Sequence, residues 1–191
     1  ILGLVIVALG VWMFWPGQVH TPKLGLDLRG GPQVILTPTS AEGGAAVTDE
    51  FALSEAAMSR FLDTSEVTQL NRHAQRGEPT VVGRRLAIAV QTCDRAHRLT
   101  SGRFDPRVIG QLDAWGYAGA ALDAPVPLDT AGAPGRIAER VDRARIRLGH
   151  PIDLGGIGKG LAVRWAAARV QRVGVERFLL DAGGDIVARG N

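Results

Sequence analysis

Residues 152–188 read IDLGGIGKGLAVRWAAARVQRVGVERFLLDAGGDIVA, and this stretch decides the fold that the sequence predicts. Glycine clusters divide it into segments of different hydrophobic periodicity. In chain order these predict a strand over 152–154, a glycine-rich loop over 155–160, a helix over 161–173 ended by Gly174, and a strand over 177–181 that turns at 182–185 into a hairpin. Strands and helices beside each other predict a mixed α and β fold.

The glycine-rich segment 155–160 carries the strongest chemical signal. A glycine-rich loop that enters a helix exposes backbone N–H groups and the positive end of the helix dipole, which together suit a phosphate group. Lys159 adds a mobile positive charge. A Walker A loop would need Ser or Thr in place of Gly160, and a dinucleotide fingerprint would need a further glycine. Tight packing between strand and helix is the alternative explanation of these glycines.

Composition excludes several classes of protein. The chain has 191 residues, enough for one domain with a real core. Its net charge of +3 is too small for a nucleic-acid-binding protein, which needs clustered cations. The single cysteine, Cys93, excludes internal disulfides and zinc modules. It lies on the apolar stripe of a helix predicted over 84–99, so we expect a buried, unreactive thiol.

Two further helix starts are predicted from capping residues. Asp63, with Glu66 three residues later, predicts the start of a short helix ending at Asn71. Asp105 and Pro106 predict the N-cap and first residue of another helix.

The first 16 residues predict a membrane segment. Ile1 to Trp15 carry no charge, and Pro16 ends any helix that they form. Such a helix would reach about 22 Å, short of the roughly 30 Å of a hydrocarbon core. We therefore expect the second half of a transmembrane helix; the hydrophobic part of a signal peptide is the alternative.

Four motifs in a fixed order resemble the ApbE family, the FAD:protein FMN transferases. They are MSRF at 58–61, GRFDP at 102–106, DLGGIGKGLA at 153–162 and DAGGD at 181–185. The resemblance covers about residues 53–191 and implies an α+β fold, with an incomplete ApbE-like α/β domain over 54–191 behind the membrane segment at 1–16.

The resemblance implies a flavoprotein enzyme active in protein flavinylation. Such transferases use FAD and Mg²⁺, move FMN to a Thr hydroxyl of a target protein and release AMP. Carried over by position, Ala162 offers its carbonyl to Mg²⁺ and Lys159 is a catalytic candidate that stabilises charge on the diphosphate. The motifs identify no base for the Thr hydroxyl, and Asp105 is the catalytic candidate for that role as a hypothesis. The implied FAD contacts are Phe61, Arg103, Phe104, Asp105, Lys159 and Trp165.

The family's second half supplies a His-x-x-Asp-Pro motif and the Asp and Thr side chains that ligate Mg²⁺, and this sequence contains no such motif. We therefore expect the chain to be the N-terminal half of such a domain. It should bind FAD weakly at best and transfer no measurable FMN.

The N-terminal 53 residues resemble another family. The motif LGLDLRGG at 24–31, behind an apolar segment, is similar to the start of the protein translocase subunit SecD. This predicts a separate strand and linker segment over 17–53 and implies, as the alternative function, a part in protein export. Both resemblances imply a chain attached to the cell membrane with its soluble part on the extracytoplasmic side.

Overall fold

The structure, a computed structural model, describes residues 40–190. Five α-helices and five β-strands follow one another there, with a short 3₁₀ turn at Leu128–Thr130. They are α1 (Ala41–Met58), α2 (Glu66–Gln75), β1 (Thr80–Val81), α3 (Arg84–Leu99), α4 (Ile109–Ala114), β2 (Ala138–Arg140), β3 (Arg145–Leu148), α5 (Gly155–Arg172), β4 (Phe178–Ala182) and β5 (Asp185–Arg189).

The strands form two antiparallel sheets. One has three strands in the order β1-β3-β2, and the other is the β4-β5 hairpin. The hairpin turns at Gly183 and Gly184, whose φ angles are +60° and +92°, and a two-residue turn of this kind favours glycine. Helix α5 ends at Arg172 with Val173 as its C-cap, and Gly174 follows with φ +87°. The predicted β-hairpin and the predicted end of the helix before Gly174 are confirmed.

Helix α5 lies between two hydrophobic clusters. Leu161 belongs to the first cluster, with α2, α3 and the three-stranded sheet. Ala162, Val163 and Ala166 belong to the second, with α1 and the hairpin. Helix α1 also contributes to both clusters, with Ala57 in the first and Val47 in the second, so α1 and α5 together join them.

The predicted glycine loop over 155–160 is wrong, because these residues are the first turns of α5. Gly156 shows why small residues stand there: a Cβ on it would lie 3.0 Å from Cε2 of Phe104. Close packing, the alternative explanation of the glycines, therefore holds at this position.

The predicted strand over 152–154 is also wrong. The Asn71 side chain donates to the Ile152 carbonyl and accepts from the Ile152 N–H, both at 2.9 Å. The Asp153 N–H donates to the Pro106 carbonyl at 2.7 Å. The backbone N–H and C=O groups of this segment thus bond to a side chain and to a loop instead of to a neighbouring strand.

Helix α3 is confirmed over its whole predicted length, and Cys93 on it is fully buried. Burial raises the pKa of the Cys93 thiol to about 12, so the thiol is protonated near neutral pH.

The two predicted caps are corrected. Helix α2 begins at Glu66, and Ser65 rather than Asp63 is its N-cap, accepting from the Thr68 N–H at 3.2 Å. Helix α4 begins at Ile109, so Asp105 does not cap it. A hydroxyl oxygen caps α2 as well as a carboxylate would, while α4 has Val108 at its N-cap position and no side-chain cap.

The predicted membrane segment over 1–16 lies outside the described residues. Within residues 40–190, no helix is both long and apolar enough to cross a bilayer. Helix α1 runs without interruption past residue 53, where the sequence predicts the boundary between the two segments.

Asn71→Ala should lower the free energy of unfolding by about 2–4 kcal/mol, because it leaves the buried N–H and C=O of Ile152 without partners. Urea unfolding followed by circular dichroism measures this. Gln69→Ala on the same helix removes only an exposed hydrogen bond and should change stability by less than about 0.5 kcal/mol. Equal losses in the two variants would contradict the role of Asn71.

Candidate functional site

The candidate site is built around the N-terminus of α5. The Asp153 carboxylate accepts from the Gly155 N–H at 2.8 Å, while the N–H groups of Ile157 and Gly158 donate to the Leu154 carbonyl. Three amides of the first turn are therefore bonded within the chain. The predicted phosphate cradle of open backbone N–H groups is to that extent wrong, because fewer amides are open to an anion than a glycine-rich loop would offer.

Arg60 holds this end of the helix to its surroundings. It is 6% exposed, and its Nε lies 3.1 Å from an Asp153 carboxylate oxygen. Its Nη1 donates to Asp113 at 3.1 Å, and its Nη2 donates to the Tyr117 carbonyl. Burial raises the pKa of Asp153, and the Gly155 N–H and Arg60 act in the opposite direction. Neither Arg60 nor Asp153 was predicted as a site residue from the sequence, although the motifs MSRF and DLGG contain them.

Phe61, the predicted flavin contact next in sequence, is 43% exposed. The Arg60 guanidinium carbon lies 5.2 Å from the centre of the Phe61 ring. This is the geometry of a cation–π contact, so the ring has a cation over it and still faces solvent.

The predicted contacts Arg103, Phe104 and Asp105 have three different environments. Arg103 is exposed, whereas Phe104 packs against Gly156 and the first cluster. The Asp105 carboxylate is 7% exposed and pairs with Arg107, which is 2% exposed. Among these three residues, the structure brings Phe104 directly to the start of α5.

The hydrogen bonds of Asp105 determine its protonation. One oxygen accepts from N and Nε of Arg107, and the other accepts from Arg107 Nη2 and the Gly132 N–H, at 2.6 to 2.9 Å. Burial by itself raises the pKa of Asp105, but these bonds outweigh it and lower the pKa to about 2. A carboxylate held in this way is a weak base near neutral pH.

Lys159 reaches from α5 to the hairpin. Its ammonium donates to the Gly183 carbonyl at 2.7 Å and lies 3.6 Å from an Asp185 oxygen. The Lys159 side chain is 32% exposed, so it remains open to solvent on one side.

Ala162 and Trp165 lie farther along the same helix. Ala162 is buried in the second cluster, and Trp165 is partly buried against the first, with Arg85 5.9 Å from its ring centre. In a regular helix the carbonyl of residue 162 already accepts from the N–H of residue 166. Among residues 40–190, no three His, Cys, Asp or Glu side chains come together in a way that could hold a metal ion.

A cavity of about 400 Å³ opens beside the site. Arg60 and Asp113 line it together with helix α2 and the loop over 118–126. None of the seven residues that the resemblance implies is among its lining residues. The cavity is therefore lined by residues other than the predicted FAD contacts, and Arg60 and Asp113 are the site residues that border it.

Comparison with known proteins gives one consistent family. The model of the ApbE family matches residues 30–191. A protein of Vibrio cholerae named FAD:protein FMN transferase is 28% identical over 185 residues, covering 91% of this chain and 55% of that protein. One of Rhodobacter capsulatus with the same name is 30% identical over 135 residues, covering 66% of this chain and 26% of that protein.

Solved structures show the same fold. The flavin transferase ApbE from Vibrio cholerae matches with a TM-score of 0.66 at 24% identity, over 84% of this chain and 53% of that one. The ApbE protein from Thermotoga maritima matches with a TM-score of 0.63 at 23% identity, over 78% and 53%. The chain spans about half the length of these structures, and between 26% and 55% of the two curated relatives.

These matches give no support to the resemblance to SecD. The family match begins at residue 30, inside the segment assigned to that resemblance. The similarity to the Vibrio cholerae relative covers 91% of the chain and so must also enter the first 53 residues, which are more than a quarter of the sequence.

Asp105→Asn tests the Asp105–Arg107 pair through its pH dependence. A folded pKa of about 2, below an unfolded pKa of about 3.9, gives stability that is present above about pH 4 and is lost as the pH falls toward 2. The variant should be less stable by roughly 2 kcal/mol at pH 7 and should lose less stability between pH 5 and 2.

Urea unfolding at several pH values measures both effects, with the exposed Asp129→Asn as the matched control. Parallel pH profiles of the wild type and Asp105→Asn would show that the pair does not lower the Asp105 pKa.

Proposed function

The chain belongs to the ApbE family, and from that premise we propose that it forms the flavin-binding part of an FAD:protein FMN transferase. In the proposed reaction the hydroxyl of a Thr on a target protein attacks the FMN phosphorus of FAD. A P–O bond to FMN forms, the diphosphate bond breaks, AMP leaves, and the hydroxyl proton passes to a base. The observation that carries the proposal is the family match over residues 30–191.

The exposed face of Phe61 is the proposed stacking surface for the flavin ring. An aromatic ring that is 43% exposed beside a buried ion pair offers a flat apolar surface at a fixed position. Phe104, packed on Gly156, supports the first turn of α5 from the other side.

Lys159 is the proposed partner of the diphosphate. An ammonium has three N–H donors, so Lys159 can keep its bond to the Gly183 carbonyl and still donate to a phosphate oxygen. A positive charge at this point stabilises the negative charge that builds up as the diphosphate bond breaks. With three amides of the first turn bonded internally, Lys159 is the main source of anion affinity at this helix end.

Asp105 has a structural part in the proposed site. Its pKa of about 2 makes it a poor acceptor for the Thr proton, while its bonds to Arg107 and Gly132 hold the GRFDP segment in place. The base is not assigned to any residue.

Mg²⁺ requires several oxygen ligands in near-octahedral geometry. The described residues do not fit such a site, since the one proposed ligand, the Ala162 carbonyl, lies inside a buried helix. The proposed roles of this chain's residues are therefore to bind and orient FAD.

We further propose that residues 1–16 attach the chain to the cell membrane, with the soluble part on the extracytoplasmic side. The support for this is the uncharged stretch of Ile1 to Trp15, with Trp12 and Trp15 at the end where an interfacial aromatic belt would lie.

Lys159→Gln should weaken binding of FAD about tenfold and leave binding of riboflavin unchanged within twofold, because riboflavin lacks the diphosphate. Flavin fluorescence anisotropy against purified chain measures both dissociation constants. Arg143→Gln, an exposed cation on another part of the surface, is the matched control and should change neither.

An equal loss for FAD and riboflavin would contradict the role of Lys159, and absence of flavin binding by the wild type would contradict the proposed function. When FAD, Mg²⁺ and an acceptor protein with a Thr are added, we expect bound flavin without covalent flavin on the acceptor. A fluorescent acceptor band on a denaturing gel would contradict the inference that the described residues do not assemble a Mg²⁺ site.

A further inference from the structure

We propose that Arg60 is a positioning residue for the flavin ring: its fixed guanidinium holds one face of Phe61 and presents the opposite face to the ligand. This inference rests on the proposed function. It concerns the orientation of the Phe61 ring and assigns Arg60 no contact with the flavin.

The guanidinium of Arg60 is fixed from three directions. It pairs with Asp153 at the start of α5 and with Asp113 at the end of α4, both at 3.1 Å. It also donates to the carbonyl of Tyr117 in the following loop. Because these three partners lie on two segments that are distant in sequence, the guanidinium cannot turn without breaking at least one bond.

The backbone around Arg60 is fixed as well. The Arg60 carbonyl accepts from the Ala120 N–H at 2.8 Å. A Cβ on Gly119 would lie 2.7 Å from that carbonyl oxygen and 2.8 Å from Nη1, so only glycine permits this approach. The loop thus closes over Arg60 and keeps it buried.

Phe61 is far more exposed than Arg60. Its side chain is 43% exposed, and the Arg60 guanidinium carbon lies 5.2 Å from the ring centre. An exposed ring can rotate among rotamers unless a neighbour holds one face. A cation–π contact with a buried, immobile cation supplies that constraint and leaves the other face for a planar, electron-poor ring system such as a flavin.

The same guanidinium also relates Phe61 to Lys159. Asp153, which pairs with Arg60, accepts from the Gly155 N–H one turn before Lys159 on α5. The ring and the ammonium are therefore connected through one ion pair. A flavin on Phe61 and a diphosphate at Lys159 belong to one ligand, so a fixed relation between these two groups reduces the ordering cost of binding.

Arg60→Lys tests the proposal, because lysine keeps the charge and loses the planar fork. It should weaken riboflavin binding about five- to tenfold and reduce the quenching of riboflavin fluorescence that stacking on Phe61 produces. In a Phe61→Leu background, the same change should alter riboflavin binding less than twofold. Circular dichroism of each variant establishes that it is folded.

Asp113→Asn is a second, milder variant if Arg60→Lys does not fold. Asp113 is 41% exposed, and its loss leaves Arg60 paired with Asp153, so we expect a two- to threefold weaker riboflavin affinity. Asp123→Asn on the neighbouring loop, where Asp123 pairs with Arg76, is the matched control and should have no effect.

The outcomes separate the two proposals. Unchanged riboflavin affinity in folded Arg60→Lys, or an equal loss in the Phe61→Leu background, would overturn the positioning role while the proposed function stands. A wild type that binds neither riboflavin nor FAD would overturn both.

Discussion

The ion pair between Arg60 and Asp153 is the constraint on which the rest of the site depends. Asp153 is mostly buried, and burial raises the pKa of its carboxyl. A buried carboxylate is tolerated only when it is paired and hydrogen-bonded, and here Arg60 and the Gly155 N–H supply both conditions. Removing one member of such a pair typically costs about 3–5 kcal/mol, since the other charge is left buried alone. The start of α5, and with it the placement of Lys159, is thus fixed by an interaction between distant segments of the chain.

Because helix α5 packs in both hydrophobic clusters, a constraint on its first residues also affects the packing of those clusters. The helix contributes Leu161 to the first cluster and Ala162, Ala166 and Ala167 to the second. Alanines at these positions let α1 approach closely, and both α1 and the hairpin pack on the same side. A shift of the α5 start would therefore disturb both clusters, because interiors are close-packed and transmit displacement.

Local patterns predicted the elements whose causes are local. Helix α3 has a regular apolar stripe, and the hairpin turns at two adjacent glycines, so both were predictable. The glycine run at 155–160 was not, because glycine has a low helix propensity. Contacts outside the run accompany its helical form: the Asp153 carboxylate accepts from the Gly155 N–H, and Phe104 packs against Gly156. The segment at 152–154 reads as a strand, yet its backbone partner is the Asn71 side chain, 81 residues away. No local pattern contains that information.

In the candidate site, too, the sequence predicts which residues are present but not how they are hydrogen-bonded or protonated. Resemblance assigned Asp105 by position, but its protonation depends on Arg107 and the Gly132 N–H, and these lower its pKa to about 2. Resemblance also assigned Lys159, and the surrounding amides were expected to share the anion; with Gly155, Ile157 and Gly158 bonded internally, they do not. In the proposed site the attraction of the partly exposed Lys159 ammonium for a diphosphate would be screened by salt. Stacking on the Phe61 ring, which the Arg60 guanidinium contacts, would not be screened in this way, so the proposal assigns the salt-resistant part of FAD binding to the Arg60–Phe61 contact.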